Sequence, residues 1–487
     1  MLKKIGGLVA LAGLCALSLF LLNCGSSSSR PTGALYVVTQ GSNGVGNNVS
    51  TYAINLGSGN LSLVNSNAST CPTAATQGNP EPCGLPLDIL LDPTGLTAFV
   101  LNQGAPPCTT CGPGDNNPIL PSIYPYTVGS DGSLSAPGTA VNWTTYPDSA
   151  VAMTRDAAGQ FLFVIDYGSY PSPATCPAVG TAAASAAQAA TFAGCPSITV
   201  FAMPKPPSTT LTFVSQSSTY QSSFFLSKTP SGLSPIQFTP PGGAAKELLF
   251  VTNNYDLCAV ACTPPQTAAP NDNTVSVYNV SAAGVLSEQL LSPYTVAAVN
   301  PISVQAVYTN PAGWNAGGLF VYVGNEDANG GHLYPFQVCT VIGDSNCAQQ
   351  DVTENENLMS PLTTCPQLSC QVPPTSAGQS PVAMVVDPTN SFLYVVAQGT
   401  SQVFGFRINA GSGTLTALSP ASYPTGAGSQ PGALALHPTV NNTGQFLYVS
   451  NTRSSNIMGF ALSTTSGSMS SPVTVDTLSG PTGMAAR

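Results

Sequence analysis

The sequence predicts an all-β fold, a seven-bladed β-propeller of four-stranded antiparallel blades whose C-terminal strand completes the N-terminal blade. Three recurrences predict it. An aromatic-Val pair occurs seven times, at Tyr36-Val37, Phe99-Val100, Phe163-Val164, Phe250-Val251, Tyr322-Val323, Tyr394-Val395 and Tyr448-Val449. A second aromatic follows each pair, at Tyr52, Tyr126, Phe201, Tyr278, Phe336, Phe406 and Phe460. A proline opens each first strand, at Pro86, Pro147, Pro235, Pro301, Pro381, Pro431 and Pro481. Aromatic and β-branched residues suit a pleated, half-buried surface, and Pro suits a strand's first residue, where its missing donor is not needed. A blade this small cannot bury its own face, so the copies must stack.

The cleanest copy shows the element order. A first strand runs from Pro431, a second centres on Tyr448-Val449, a third ends near Phe460, and a short fourth follows the turn at Ser466-Gly467. The opening copy instead begins at its second strand, Ala34, and the chain ends on an orphan first strand at Gly480 to Arg487. That orphan is expected to pair with the strand around Tyr36 and close the ring, leaving only short protected edges. Turns between first and second strands are short (Asp92-Pro-Thr-Gly, Asp156-Ala-Ala-Gly, Asp387-Pro-Thr-Asn). Most between third and fourth are too (Gly57-Ser-Gly, Ser130-Asp-Gly, Gly411-Ser-Gly). Long insertions fall between second and third strands or between blades, and both kinds emerge on one face of the disc. Long loops on a rigid scaffold build binding surfaces, so this face is the functional candidate; the alternative is loops stapled only against proteolysis.

Residues 1–23 read as an export signal, with Lys3-Lys4 ahead of an apolar run from Ile5 to Leu22. Leu21-Leu22-Asn23-Cys24-Gly25 resembles the bacterial lipobox, although Asn23 stands where a small residue is usual. Cys24 is therefore the expected lipidation site, residues 24–33 a Ser-rich tether and residues 34–487 the ring. The expected location is the cell envelope, exported and held to a membrane by the lipid. An uncleaved membrane helix is the alternative, since the apolar run is long enough to span.

Of the 14 Cys, setting aside Cys15 and Cys24 leaves six neighbouring pairs: Cys71/Cys83, Cys108/Cys111, Cys176/Cys195, Cys258/Cys262, Cys339/Cys347 and Cys365/Cys370. Local disulfides in an oxidising compartment are the expected reading. A redox role for Cys108-Thr-Thr-Cys111 wants a βαβ context that is absent. A zinc site shared with Cys258 and Cys262 would join loops of different blades. No metal or other cofactor is expected. The Asx-rich loops at Asp115, Asn271 and Asn325 read as turns rather than calcium sites, and the Ala run 182–193 as a short helix.

Charged residues are only 6% of the chain, whereas Gly (47) and Pro (44) are abundant, as a fold of strands and turns requires. Without Lys3 and Lys4 the chain carries 8 basic and 20 acidic side chains, net −12, which excludes nucleic acid as a partner. One domain, a monomer, is expected, because each blade packs only on its neighbours.

At His437-Pro438, Gly444-Gln-Phe-Leu-Tyr-Val-Ser-Asn451 and Tyr322-Val-Gly-Asn-Glu326, the chain resembles the YVTN-type propellers. More specifically it resembles the seven-bladed lactonase-like family, which includes 6-phosphogluconolactonases. The family's Asn-Arg-Gly is here Asn451-Thr-Arg453-Ser, displaced by one, and its Pro-Arg-His at the start of a first strand is absent. The resemblance implies lactone hydrolysis, with Glu326 as base, Arg453 as oxyanion donor and His437 as a third candidate. His332 and Asp166 are the other titratable candidates. With the Arg-His pair missing and cations scarce, the sequence favours a non-catalytic, lipid-anchored propeller whose looped face binds a protein or glycan. A lactonase-like hydrolase with a diverged site is the alternative.

Overall fold

A computed structural model of the protein shows seven antiparallel sheets, each one blade. The structure describes residues 33–40, 48–69, 85–104, 119–143, 150–168, 195–206, 208–214, 223–225, 230–239, 244–254, 273–289, 292–296, 300–309, 318–327, 330–339, 358–361, 375–437, 445–470 and 472–487. The signal segment, most of the tether, Cys24, Cys71, Cys83, Cys108, Cys111, Cys176, Cys258, Cys262, Cys347, Cys365 and Cys370 lie outside the described residues, as do the Ala run 182–193 and the loops at Asp115 and Asn271. Cys195 is buried and disulfide-bonded. No helix among the described residues is long and apolar enough to cross a membrane.

The first strands touch one another in sequence around the axis. Gly480–Ala486 meets both Pro431–His437 of blade 7 and Pro86–Leu91 of blade 2, which closes the ring. This closing strand pairs with Ala34–Gln40, setting Tyr36 opposite Ala485 and Val37 opposite Met484, as the sequence predicts. Each second strand lies between two neighbouring blades and is buried on both faces. Thr97–Asn102, Phe161–Asp166 and Phe392–Ala397 are buried at every position and read as continuous apolar runs.

The repeated aromatics staple blade to blade. The Tyr322, Tyr394 and Tyr448 hydroxyls donate to the carbonyls of Gly413 (2.7 Å), Gly467 (2.7 Å) and Gly59 (2.9 Å) in the third-to-fourth turn of the next blade. Those turns need glycine. Gly467 has φ +73°, and a Cβ there would stand 2.2 Å from the Phe392 ring. Only a residue without Cβ lets the turn lie flat on the ring and bring its carbonyl to the tyrosine.

Three readings need correction or refinement. Blade 4 opens at Pro230, not Pro235, with Pro230 opposite Asn253 just as Pro86 faces Asn102 and Pro301 faces Asn325. Pro235 lies inside that strand, opposite Leu249. It is tolerated because the strand has one hydrogen-bonded neighbour and its other edge faces the axis. Blade 3 opens at Ala150, Pro147 being outside the described residues. In blade 2 the fourth strand shrinks to the bridges Val128–Leu134 and Ile123–Val141, and Pro137 between them removes a ladder donor.

Candidate active site

The looped face is built where each first strand begins and each second strand ends. One position recurs there in every blade, opposite the opening residue of the first strand. It holds Asn102, Asp166, Asn253, Asn325 and Asn451 in five blades, and Thr39, opposite Pro481, and Ala397 in the other two. The five Asx side chains are buried and several act as pins. Asn253 Nδ2 donates to Thr274 (3.1 Å) and Ser276 (3.0 Å), and Asn451 Nδ2 donates to Asn456 Oδ1 (2.7 Å). Asp166 accepts from Ser197 Oγ (2.7 Å) and from the Gly168 N–H (3.1 Å). Burial pushes the Asp166 carboxyl up to about 7, so near neutrality it approaches the uncharged amide of the other blades. Asp166 is thus a rim pin of the ring.

Hydroxyls and an amide tie neighbouring blades at the same rim. Thr482 Oγ1 (2.9 Å) and Gln40 Nε2 (2.8 Å) both donate to the Pro86 carbonyl, Ser231 Oγ to Pro301 (2.7 Å), and Thr452 Oγ1 to Pro481 (2.7 Å). The Ser303 hydroxyl donates to the Pro381 carbonyl. The rim is therefore a belt of small polar contacts, with few charges in it.

Glu326 follows the pin Asn325, its backbone opposite Gly331, and His332 lies opposite Asn325 on the third strand. Both belong to blade 5. Arg453 is exposed on blade 7, its N–H donating to the Ser429 carbonyl (3.1 Å). Among the described residues it is the single Lys or Arg on the looped face. His437 is at the other face, fully buried, its ring centroid 6.1 Å from that of Phe446. It stands six residues after the strand opening, where Asp92, Asp156 and Asp387 cap the tight turn. Asp92 Oδ1, for example, accepts from the N–H groups of Leu96 (2.7 Å) and Thr97 (2.6 Å). The structure thus puts Glu326, His332 and Arg453 on the looped face and leaves His437 on the opposite one.

The residue that sequence reasoning missed is Asp88. Among the described residues it is the only acid on the seven first strands, and Arg155 their only Lys or Arg. Arg155 is engaged at the far end, donating to the Leu91 (2.9 Å) and Asp156 (3.1 Å) carbonyls. Asp88 lies near the looped end, against the closing strand. Its Oδ1 accepts from the Ile89 N–H (2.8 Å) and sits 2.8 Å from where a Cβ on Gly483 would stand. Burial pushes its carboxyl up to about 7, opposed in part by the Ile89 hydrogen bond. On the other flank of the same strand, the Thr452 carbonyl is 2.7 Å from the Cβ position of Gly480, and Arg453 follows. The closing strand therefore separates one acid from one cation, with Gln40 and Thr482 beside them. Among the described residues no group of three or more His, Cys, Asp or Glu is placed to hold a metal ion.

Fold and rim together define a seven-bladed β-propeller whose described rim residues carry few charges. The sequence model of the family "Lactonase, 7-bladed beta-propeller" matches residues 368–486, covering blades 6 and 7 and the closing strand, and so supports the resemblance read from the motifs. No curated protein matches the chain. Among solved structures, a candidate 6-phosphogluconolactonase from Bacteroides fragilis is similar at 13% identity and TM-score 0.54, covering 95% of this chain and 99% of its own. A periplasmic gluconolactonase from Pseudomonas aeruginosa is similar at 15% identity and TM-score 0.53, covering 93% and 98%. A Lactobacillus plantarum protein matches at 13% and 0.54, covering 93% and 99%. At these identities the likeness speaks to the fold.

Proposed function

We propose that the protein is a lactone hydrolase that opens uncharged sugar lactones at the looped mouth, beside the closing strand. The observation that carries this reading is Asp88, the one carboxylate on the described axial strands of a ring whose last two blades match the lactonase family. Opening a lactone needs a base to activate water and a donor for the developing oxyanion. The Asp88 carboxylate takes a proton from water as the water oxygen adds to the lactone carbonyl carbon. The tetrahedral oxyanion then re-forms the carbonyl and breaks the ring C–O bond, and protonated Asp88 returns its proton to the departing ring oxygen, giving the hydroxy acid. A carboxyl held at about 7 suits both transfers at neutral pH. Arg453 is the available cation for the oxyanion, and Glu326 is the competing base that the family resemblance names.

The substrate class follows from charge. A phosphorylated lactone would meet one exposed Arg on the described looped face and a net charge of −10, or −12 once Lys3 and Lys4 are removed. A neutral aldonolactone meets no such barrier, and the periplasmic gluconolactonase of Pseudomonas aeruginosa carries the name of an activity on such a substrate. The same proposal places the protein outside the cytoplasm, tethered through lipidated Cys24, on the strength of Lys3-Lys4, the apolar run and the paired cysteines. A Cys24→Ser variant recovered in the soluble fraction supports the tether; one that stays in the membrane fraction opposes it. The activity is tested by following D-glucono-δ-lactone and its 6-phospho derivative with a pH-stat. Faster opening of the neutral lactone is expected. No rate above spontaneous hydrolysis for either would return the account to a non-catalytic propeller whose looped face binds a protein or glycan.

A further inference from the structure

On the face opposite the mouth, blades 3 and 4 leave a cleft of about 380 Å³ between them. Its walls are Gln160 and Phe161 from the tight turn of blade 3 and Gln237, Lys246, Glu247 and Asn279 from the matching end of blade 4. Glu247 is set there by register, opposite Gln237 on one side and Val280 on the other. Its Oε1 is buried without a hydrogen-bond partner. Burial, and secondly the Asp156 charge, push its carboxyl up to about 7. A buried acceptor left unmet is costly, so a hydroxyl-bearing ligand that meets it through a rotation of the Glu247 side chain into the cleft is favoured.

We infer that this cleft binds a small neutral polyhydroxyl ligand, a sugar ring, at a place separate from the lactone-opening mouth. Carboxamides and a partly protonated carboxyl each donate and accept, as every sugar hydroxyl does. The Lys246 charge is offset by the partly ionised Glu247 and the Asp156 charge, which weakens any preference for a net anion or cation. The volume lies at the lower end of small-molecule pockets, about 300–1,000 Å³, which suits one or two rings. The ligand is a free monosaccharide or the end of a glycan, and the two are distinguished by experiment.

Titration calorimetry and ligand-observed NMR on the whole protein, with D-glucose, D-galactose, D-mannose, N-acetylglucosamine and maltotriose as probes, test the inference. Saturable binding of at least one probe is expected. Gln237→Ala, which alters an exposed side chain, and Glu247→Ala should each weaken it at least fivefold, whereas Asp88→Asn should not. Glu247→Gln should retain binding and lose its pH dependence between pH 6 and 8. Tighter binding of maltotriose than of D-glucose identifies a chain end, and equal binding a free sugar. No saturation with any probe, or binding indifferent to both alanine variants, overturns the inference whatever the lactone assay shows.

Discussion

A chain ending at Leu478 should fail to hold the ring. The truncation removes the closing strand and with it both hydrogen bonds between Ala34 and Arg487 (3.1 and 2.9 Å). It also removes those from Thr482 to Pro86, from Thr452 to Pro481 and from Arg487 Nη1 to Gly95 (3.0 Å). At about 1 kcal/mol each these amount to about 5 kcal/mol, and the lost burial of Met484 adds about 2 kcal/mol. The remaining ladder to Ala34–Gln40 is additional. Folded proteins hold only about 5–15 kcal/mol in total, so the loss is comparable with the whole. Thermal unfolding followed by circular dichroism should show a midpoint lower by more than about 10 °C, or no cooperative transition. A truncated chain melting within about 2 °C of the full chain would refute the clasp.

Tyr448→Phe should cost about 1 kcal/mol by removing the bond to Gly59, and Gly467→Ala should cost more through its left-handed backbone and the Phe392 ring; chemical denaturation reads both. Asp166 and Asp88, whose folded values stand at about 7 against 3.8, contribute stability that is complete below about pH 4 and lost as pH rises through 7. For buried Asp166 this is worth at most about 4 kcal/mol, so melting points should fall from pH 5 to pH 8, and Asp166→Asn should flatten the profile. Mass spectrometry of non-reduced peptides should find the six sequential cysteine pairs, and free thiols throughout or zinc released by a chelator would overturn that pairing.

The ring was legible because every blade repeats one physical demand. Tyr or Phe before Val fills the space between two sheets in all seven copies, and at Gly59, Gly284, Gly413 and Gly467 a turn glycine lies on an aromatic of the preceding blade, so the copies reinforce one pattern. Pro235 misled because a proline at the axial edge is tolerated inside a first strand as well as at its start, and only the register opposite Asn253 separates the two. Glu326 and Arg453 could be read to the correct face from strand order alone. His437 looked like a site residue from its His-Pro motif, yet its offset from Pro431 matches that of the turn-capping Asp92 from Pro86. Asp88 could not be read as part of a site because it departs from the repeat only once, and its neighbour Gly483 lies at the other end of the chain. The acids on the predicted first strands include Asp88 and also Asp148 after Pro147, and sequence alone does not set either beside Gly483.

The proposed activity rests on Asp88, and one comparison tests it directly: the rate of D-glucono-δ-lactone opening by the wild type, Asp88→Asn and Glu326→Gln, measured from pH 5 to 9. The Asp88→Asn protein should still unfold cooperatively, no less stable than the wild type at pH 8, and lose about 100-fold or more in kcat, the usual range for removing a general base. The wild-type rate should rise through about pH 7 as the carboxyl ionises, and Glu326→Gln should preserve that profile. Full activity in Asp88→Asn, with the rate abolished in Glu326→Gln instead, would contradict the assignment and move the chemistry to blade 5.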